Sequence, residues 1–181
     1  MPDAAAPRQI VLLGLMAVGK TTVGRLLAAS LRRPLLDSDA EIEALEGVTV
    51  REIQARSGAG ALHELEARIL LEALARPEPS VICAAASTID DARCRRALDA
   101  PQVTAVWLAA SLATLVARYD RDPHRPRYPE GTEAALAAQL AARTPRFEAV
   151  ADVTIAVDGL EPPAIAAALE PLIAARQRSR Q

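Results

Sequence analysis

The sequence predicts an α/β fold, a parallel sheet flanked by helices, on three observations. Short apolar runs alternate with segments of helical spacing along nearly the whole chain. The strand–helix alternation has the spacing of a parallel sheet with right-handed crossovers and helices on both faces. The first apolar run leads straight into a glycine-bearing turn and then a helical pattern.

In chain order, Gln9–Leu13 (QIVLL) is a buried-strand candidate, and Val18–Leu31 has apolar residues at helical spacing. Pro34–Leu36 is a short strand ending at Asp37. Ala40–Glu46 and Val50–Arg56 read as two short helices around Gly47. Ala61–Arg76 is a longer helix, stopped by Pro77 and Pro79. Ser80–Ala85 is a strand and Asp90–Leu98 a helix; Val103–Leu108 is a strand and Leu112–Tyr119 a helix. Asp120–Gly131, with three prolines and charges of both signs, is a loop between helices. Thr132–Ala149 is helical, and Pro145 is expected to break or kink it. Asp152–Val157 is the last strand and Pro162–Arg176 the last helix. Ligands on such a sheet bind outside the carboxyl ends of the strands.

At 181 residues the chain is long enough for one domain with a sizeable core and short for two. Residues 1–181 therefore read as a single domain, frayed at 1–7 and 176–181. Apolar residues make up 51% and charged residues 24%, the balance of a globular domain. A net charge of −2 disfavours non-specific binding to nucleic acid or a membrane surface, and 2% aromatics argue against base-stacking platforms. No apolar run is long enough to span a bilayer, and the N-terminus lacks a signal-peptide pattern. Cys83 and Cys94 match no zinc or redox spacing. The expectation is a reduced, cytoplasmic protein and a monomer.

The turn after the first strand reads GLMAVGKT, with Gly14, Gly19, Lys20 and Thr21 in the pattern G-x-x-x-x-G-K-[ST]. The glycines let the backbone turn its amides inward, toward phosphate oxygens at a helix N-terminus. Lys20 offsets charge on the outer phosphates, and the Thr21 hydroxyl is a magnesium ligand. The motif lies between a strand and a helix, the context that confirms it, so the fold is a P-loop NTPase domain. Gly14, Met16, Ala17, Val18, Gly19, Lys20, Thr21 and Thr22 are the candidate nucleotide contacts.

Asp37-Ser38-Asp39 places two acids two residues apart at the end of the second strand. An extended backbone points both the same way. One, Asp37, can hold magnesium directly or through water; the other, Asp39, meets the acceptor hydroxyl. Taken alone, Asp39 would read better as a cap for a helix starting at Ala40; beside the phosphate loop the functional reading is favoured.

Gly14–Thr22, Asp37-Ser38-Asp39, Ile42–Glu43 and Val50–Ile53 resemble the shikimate kinases, a likeness running from about Gln9 to about Asp158. It implies a five-stranded parallel sheet, ATP with magnesium, and phosphoryl transfer to a ring hydroxyl of a small carboxylic acid. It also implies roles. Arg125, in HRPRYP, matches a lid arginine that closes on the phosphates. Arg118 matches a position packing on adenine, and Arg143, in AARTPRF, a substrate-carboxylate arginine. From the residues alone, Arg118 and Arg143 would be ordinary solvated helix charges and Arg125 a loop arginine.

Two departures fall in the acceptor site. Where the family has Phe-Arg-x-x-Glu, this chain has Leu62-His63-Glu64-Leu65-Glu66, so His63 replaces a carboxylate-binding arginine while Glu66 keeps the acid. A mostly neutral histidine cannot make the bidentate fork. As a surface helical histidine it needs no ligand at all. Where the family has three glycines, this chain has Ala84-Ala85-Ala86, which adds methyls and disfavours positive φ. Cys83 beside it reads best as a small buried hydrophobe.

The leading expectation is an ATP-dependent small-molecule kinase whose acceptor is hydroxylated, with shikimate doubtful because of His63 and Ala84–Ala86. A nucleotide-binding regulatory or interaction module that lost catalysis is a second reading. A P-loop kinase of gluconate or nucleoside type is a third.

Overall fold

The computed structural model describes residues 9–122 and 128–179. Five parallel strands form one sheet: β1 (Gln9–Leu13), β2 (Leu35–Asp37), β3 (Val81–Cys83), β4 (Val103–Ala109) and β5 (Val153–Ala156), in the order β2-β3-β1-β4-β5. All five residues of β1 are buried, as expected of a central strand covered on both faces. The order fixes where a ligand sits. The chain leaves β1 toward β2 on one side, and leaves β3 toward β4 on the other. The crevice where that direction reverses lies between the carboxyl ends of β1 and β3.

Helices α1 (Lys20–Leu31), α2 (Ser38–Glu46), α3 (Val50–Leu74), α4 (Ala92–Leu98), α5 (Leu112–Asp120), α6 (Thr132–Val150) and α7 (Pro162–Ser179) cover the sheet. A 3-10 turn, Ala86–Asp90, follows β3. The core gathers the strand residues with Leu27 of α1, Leu70 of α3, Leu115 of α5, Phe147 of α6 and Leu169 of α7. Gly24 lets α1 lie close on β3, since a Cβ there would stand 2.5 Å from the Cys83 sulfur. No helix among the described residues is long and apolar enough to cross a membrane.

Several boundaries differ from expectation, each for a local reason. The two helices expected across residues 50–76 form one helical run, interrupted at Gly58 (φ 81°, ψ 167°) and opened by a capping box between Thr49 and Glu52. Helix α6 continues past Pro145 to Val150. Beyond the proline, Phe147 is buried and stacks on Trp107 with ring centroids 5.8 Å apart, which holds the final turn in place. Helix α7 likewise runs past its expected end at Arg176 to Ser179, and Arg176 pairs with the buried Asp152 carboxylate at 2.7 Å.

Candidate active site

The phosphate loop connects β1 to α1 as expected. Its backbone takes positive φ at Gly14 (141°), Ala17 (66°) and Gly19 (103°). A Cβ on Gly14 would lie 2.8 Å from the Leu108 carbonyl oxygen, so the loop can pass β4 only with glycine there. At Gly19 there is space for a side chain, and the left-handed backbone is what selects glycine. Helix α1 then begins at Lys20 with no acidic residue in its first turn, leaving its positive end unopposed toward the loop. The Lys20 ammonium donates to the Gly14 and Leu15 carbonyls at 2.8 and 3.0 Å, which holds it across the loop mouth.

A cleft of about 870 Å³ opens at this point. Its walls include Met16, Ala17, Gly19, Lys20, Thr21, Thr22, Asp37, Asp39, His63, Glu66, Ala84, Ala85, Ala86, Arg118 and Arg143. Gly14 and Val18 are not on its surface. Val18 is buried and takes part through its backbone, whose carbonyl accepts from Arg118 at 2.8 Å. Arg125 lies outside the described residues.

Thr21 and Asp37 meet: the threonine hydroxyl donates to Asp37 Oδ2 at 2.7 Å. The two residues expected to hold magnesium are thus side by side at the loop. They form a hard oxygen donor set suited to an ion that keeps most of its waters and borrows phosphate oxygens. No cluster of three or more acidic, histidine or cysteine ligands exists among the described residues.

The expectation of an extended Asp37–Asp39 pair does not hold. Helix α2 starts at Ser38, so Asp39 sits in its first turn, and Asp37 is the cap, accepting from the Asp39 amide at 3.2 Å. Both still face the cleft because it lies just beyond the end of β2. Ser38 is buried and accepts from the Ala85 amide at 3.3 Å, joining this corner to the alanine wall.

The three alanines take an unstrained backbone. The only non-glycine residues with positive φ among those described are Ala17 and Arg32, and Ala85 is extended at φ −60°, ψ 145°. Cys83, next to them, is a buried free thiol. Burial, with the Asp37 charge added, pushes it up to about 12, and it donates to the Lys20 carbonyl at 3.3 Å. It is an inert packing residue, as expected.

Glu66, on α3, is buried and accepts a hydrogen bond from the Ser87 hydroxyl. Burial raises its carboxyl to about 6; the Ser87 bond opposes that rise and the Asp39 charge adds to it. His63, one turn earlier, is exposed on the same wall. Arg143 is not a solvated helix charge: its side chain is only 12% exposed. It donates from Nε to Asp90 at 2.9 Å and from Nη1 to Gln139 at 2.8 Å. Arg118 is half-buried at the nucleotide end, bonded to the phosphate loop and to the Val157 carbonyl.

Ser87, Gln54, Tyr128 and Gln139 also line the cleft and were not anticipated. Gln139 stands four residues before Arg143, so helical spacing from that arginine would have found it. Tyr128 closes the expected lid segment on its carboxyl side and donates to the Met16 sulfur at 3.2 Å, laying that end of the loop over the phosphate loop. Ser87 carried no signal beyond adjacency to the alanines.

The shikimate kinase family profile matches residues 16–173. The chain belongs to the shikimate kinase family. A shikimate kinase of Bradyrhizobium diazoefficiens is 38% identical over 158 residues, covering 85% of this chain and 73% of the relative. One from Zymomonas mobilis is 37% identical over 125 residues, covering 69% and 70%. Among solved structures, shikimate kinase from Acinetobacter baumannii in complex with shikimate superposes with a TM-score of 0.87 at 32% identity, covering 94% and 95%. A gluconokinase from Sinorhizobium meliloti, at 20% identity and a TM-score of 0.66, shares the fold alone. The chain is thus an ATP-dependent small-molecule kinase with a hydroxyl acceptor, as the phosphate loop led us to expect. That weighs against a module without catalysis.

Proposed function

We propose that this kinase uses magnesium, transfers the terminal phosphoryl of ATP to a hydroxyl of a small ring alcohol, and uses shikimate itself poorly. One observation carries the reading: a single cleft holds the phosphate loop, the Thr21–Asp37 pair and the Asp39 carboxylate.

The loop amides and Lys20 bind and orient the phosphate chain. Thr21 and Asp37 would hold magnesium, which when bound draws off charge from the phosphate oxygens. Asp39 accepts the proton of the attacking hydroxyl. The new bond joins that oxygen to the γ-phosphorus, the β–γ bridging bond breaks, and ADP leaves with its electron pair. Arg118 borders the base, and the lid, with Arg125 and Tyr128, excludes water. Glu66, Gln139 and Arg143 face the acceptor. His63 brings no permanent charge where the family resemblance implies an arginine, and the Ala84–Ala86 methyls narrow the wall. Both cysteines are free thiols, which suits a cytoplasmic enzyme, and we propose a monomer.

Turnover of ATP–magnesium against a panel of ring acids and neutral ring polyols tests this. Shikimate should be among the weaker acceptors, and a neutral polyol should be phosphorylated. Asp39→Asn should cut turnover by about 10²–10⁴-fold while ATP binding stays within twofold, roughly the contribution of one positioned base. Undiminished turnover in that variant would sink its role. ATP binding with no turnover on any acceptor would revive the regulatory module.

A further inference from the structure

We infer that Asp90 is a specificity-determining residue: it occupies Arg143, so that the acceptor end of the cleft favours a neutral, hydroxyl-rich ring over a carboxylate. The inference rests on the proposal that this end of the cleft receives the acceptor.

Arg143 is the cation of the cleft wall on α6, away from the phosphate loop. All three of its guanidinium nitrogens already have protein partners. Nε and Nη2 both lie 2.9 Å from Asp90 Oδ2, and Nη1 reaches Gln139 at 2.8 Å. The edge formed by Nε and Nη2 is one a ligand carboxylate would take in a two-pronged pair. Here a carboxylate of the protein holds it.

Asp90 is not a side chain passing by. It ends the 3-10 turn after β3, and its own carbonyl accepts from Arg95 at 2.8 Å, which pins the turn from the α4 side. Its other carboxylate oxygen takes Arg146, a 46% exposed neighbour whose charge faces solvent. Glu66 also lies close enough for the Arg143 charge to act on its carboxyl. An anionic acceptor must therefore displace Asp90 or settle for the leftover N–H groups, close to a second carboxyl. Exchanging one carboxylate for another returns little net free energy. Hydroxyls meet a better set: Glu66 as acceptor, with Ser87 and Gln139 able to donate or accept.

The test is the affinity of the full chain for shikimate, a ring carboxylate, by titration calorimetry with ADP and magnesium present. Asp90→Asn should bind it about tenfold tighter than the parent, because the fork is released. Asp90→Ser should do the same, which guards against an effect peculiar to asparagine. Arg143→Gln should change shikimate affinity less than about threefold in the parent and about tenfold in the Asp90→Asn background. Unchanged or weaker binding in both Asp90 variants overturns the inference, as does undetectable binding in parent and variants alike. The outcome is independent of turnover. If neutral polyols are not phosphorylated yet the affinity shift appears, the proposed acceptor is wrong and the role of Asp90 stands.

Discussion

The two ends of the cleft are built by different means. The phosphate end is made of backbone: positive φ at Gly14, Ala17 and Gly19, a helix N-terminus, and one lysine laid across the opening. The end we propose for the acceptor is made of side chains from separate elements: Asp39 from α2, His63 and Glu66 from α3, Ser87 from the 3-10 turn, and Arg143 from α6, held from behind by Asp90. A backbone cradle has few solutions, because a single methyl on Gly14 meets a carbonyl of β4. A side-chain pocket can be retuned one residue at a time without moving the sheet. Phosphate binding and acceptor choice are accordingly expected to be separable in this enzyme, with Asp39 the residue that joins the two ends.

The largest test of that separation falls on the phosphate end. Lys20→Ala should lower phosphoryl transfer to every acceptor by about 10²–10³-fold or more, the scale of losing one preorganised charge in a dry site. The ratio between acceptors should not move. Rapid-quench turnover with two acceptors, alongside circular dichroism to confirm folding, measures both. A variant that changes the acceptor ratio would show that the two ends are coupled.

The same contrast explains what could be read from the amino acids. Gln9–Leu13 and the phosphate loop were legible because an apolar run and fixed glycine spacing leave one local conformation. The five parallel strands followed from alternation, and with them a ligand site outside the strand carboxyl ends; the strand order, and so the direction reversal between β1 and β3, is seen only in the structure. The acceptor end was legible only where resemblance supplied it. Nothing local announces that Asp90 and Arg143, 53 residues apart, form an ion pair, or that Ser87 meets Glu66 across 21. Local reasoning also erred at Asp39. Alternation along a strand was applied to residues in which Asp37 had already capped a helix. The helix expected through Pro145 is not broken there: α6 continues to Val150, its last turn packed by Phe147 on Trp107.

A smaller effect should appear in the pH dependence of stability, and it belongs to the acceptor end alone. Glu66 titrates at about 6 instead of 4.5 because burial disfavours its charge. The folded state therefore holds this proton more tightly than the unfolded chain does. The associated stability is fully present below pH 4.5 and is lost as pH rises through about 6, a change of about 2 kcal/mol. Urea melts of the parent and Glu66→Gln should diverge across that window, the parent losing stability relative to the variant as pH rises. Ser87→Ala removes a bond that favours the carboxylate, so it should move the parent's transition upward in pH. Parallel profiles for parent and Glu66→Gln would remove the buried carboxyl from the account.

The smallest expected change is also the most direct on specificity. His63 is exposed on α3, so His63→Arg should alter stability by less than about 0.5 kcal/mol. An arginine there restores a fixed charge and a two-pronged donor to the acceptor wall. A hydrogen-bonded arginine–carboxylate pair contributes about 1.5–3 kcal/mol, and exposure to solvent trims that toward the lower figure. The KM for shikimate should therefore fall about tenfold, with the KM for ATP unmoved. If shikimate use does not improve, charge at position 63 is not what limits it. The limit would then lie in the Ala84–Ala86 methyls or in the Asp90–Arg143 pair. Combining His63→Arg with Asp90→Asn separates those two: a gain appearing only in the double variant assigns the limit to the ion pair, and no gain in either assigns it to the alanine wall.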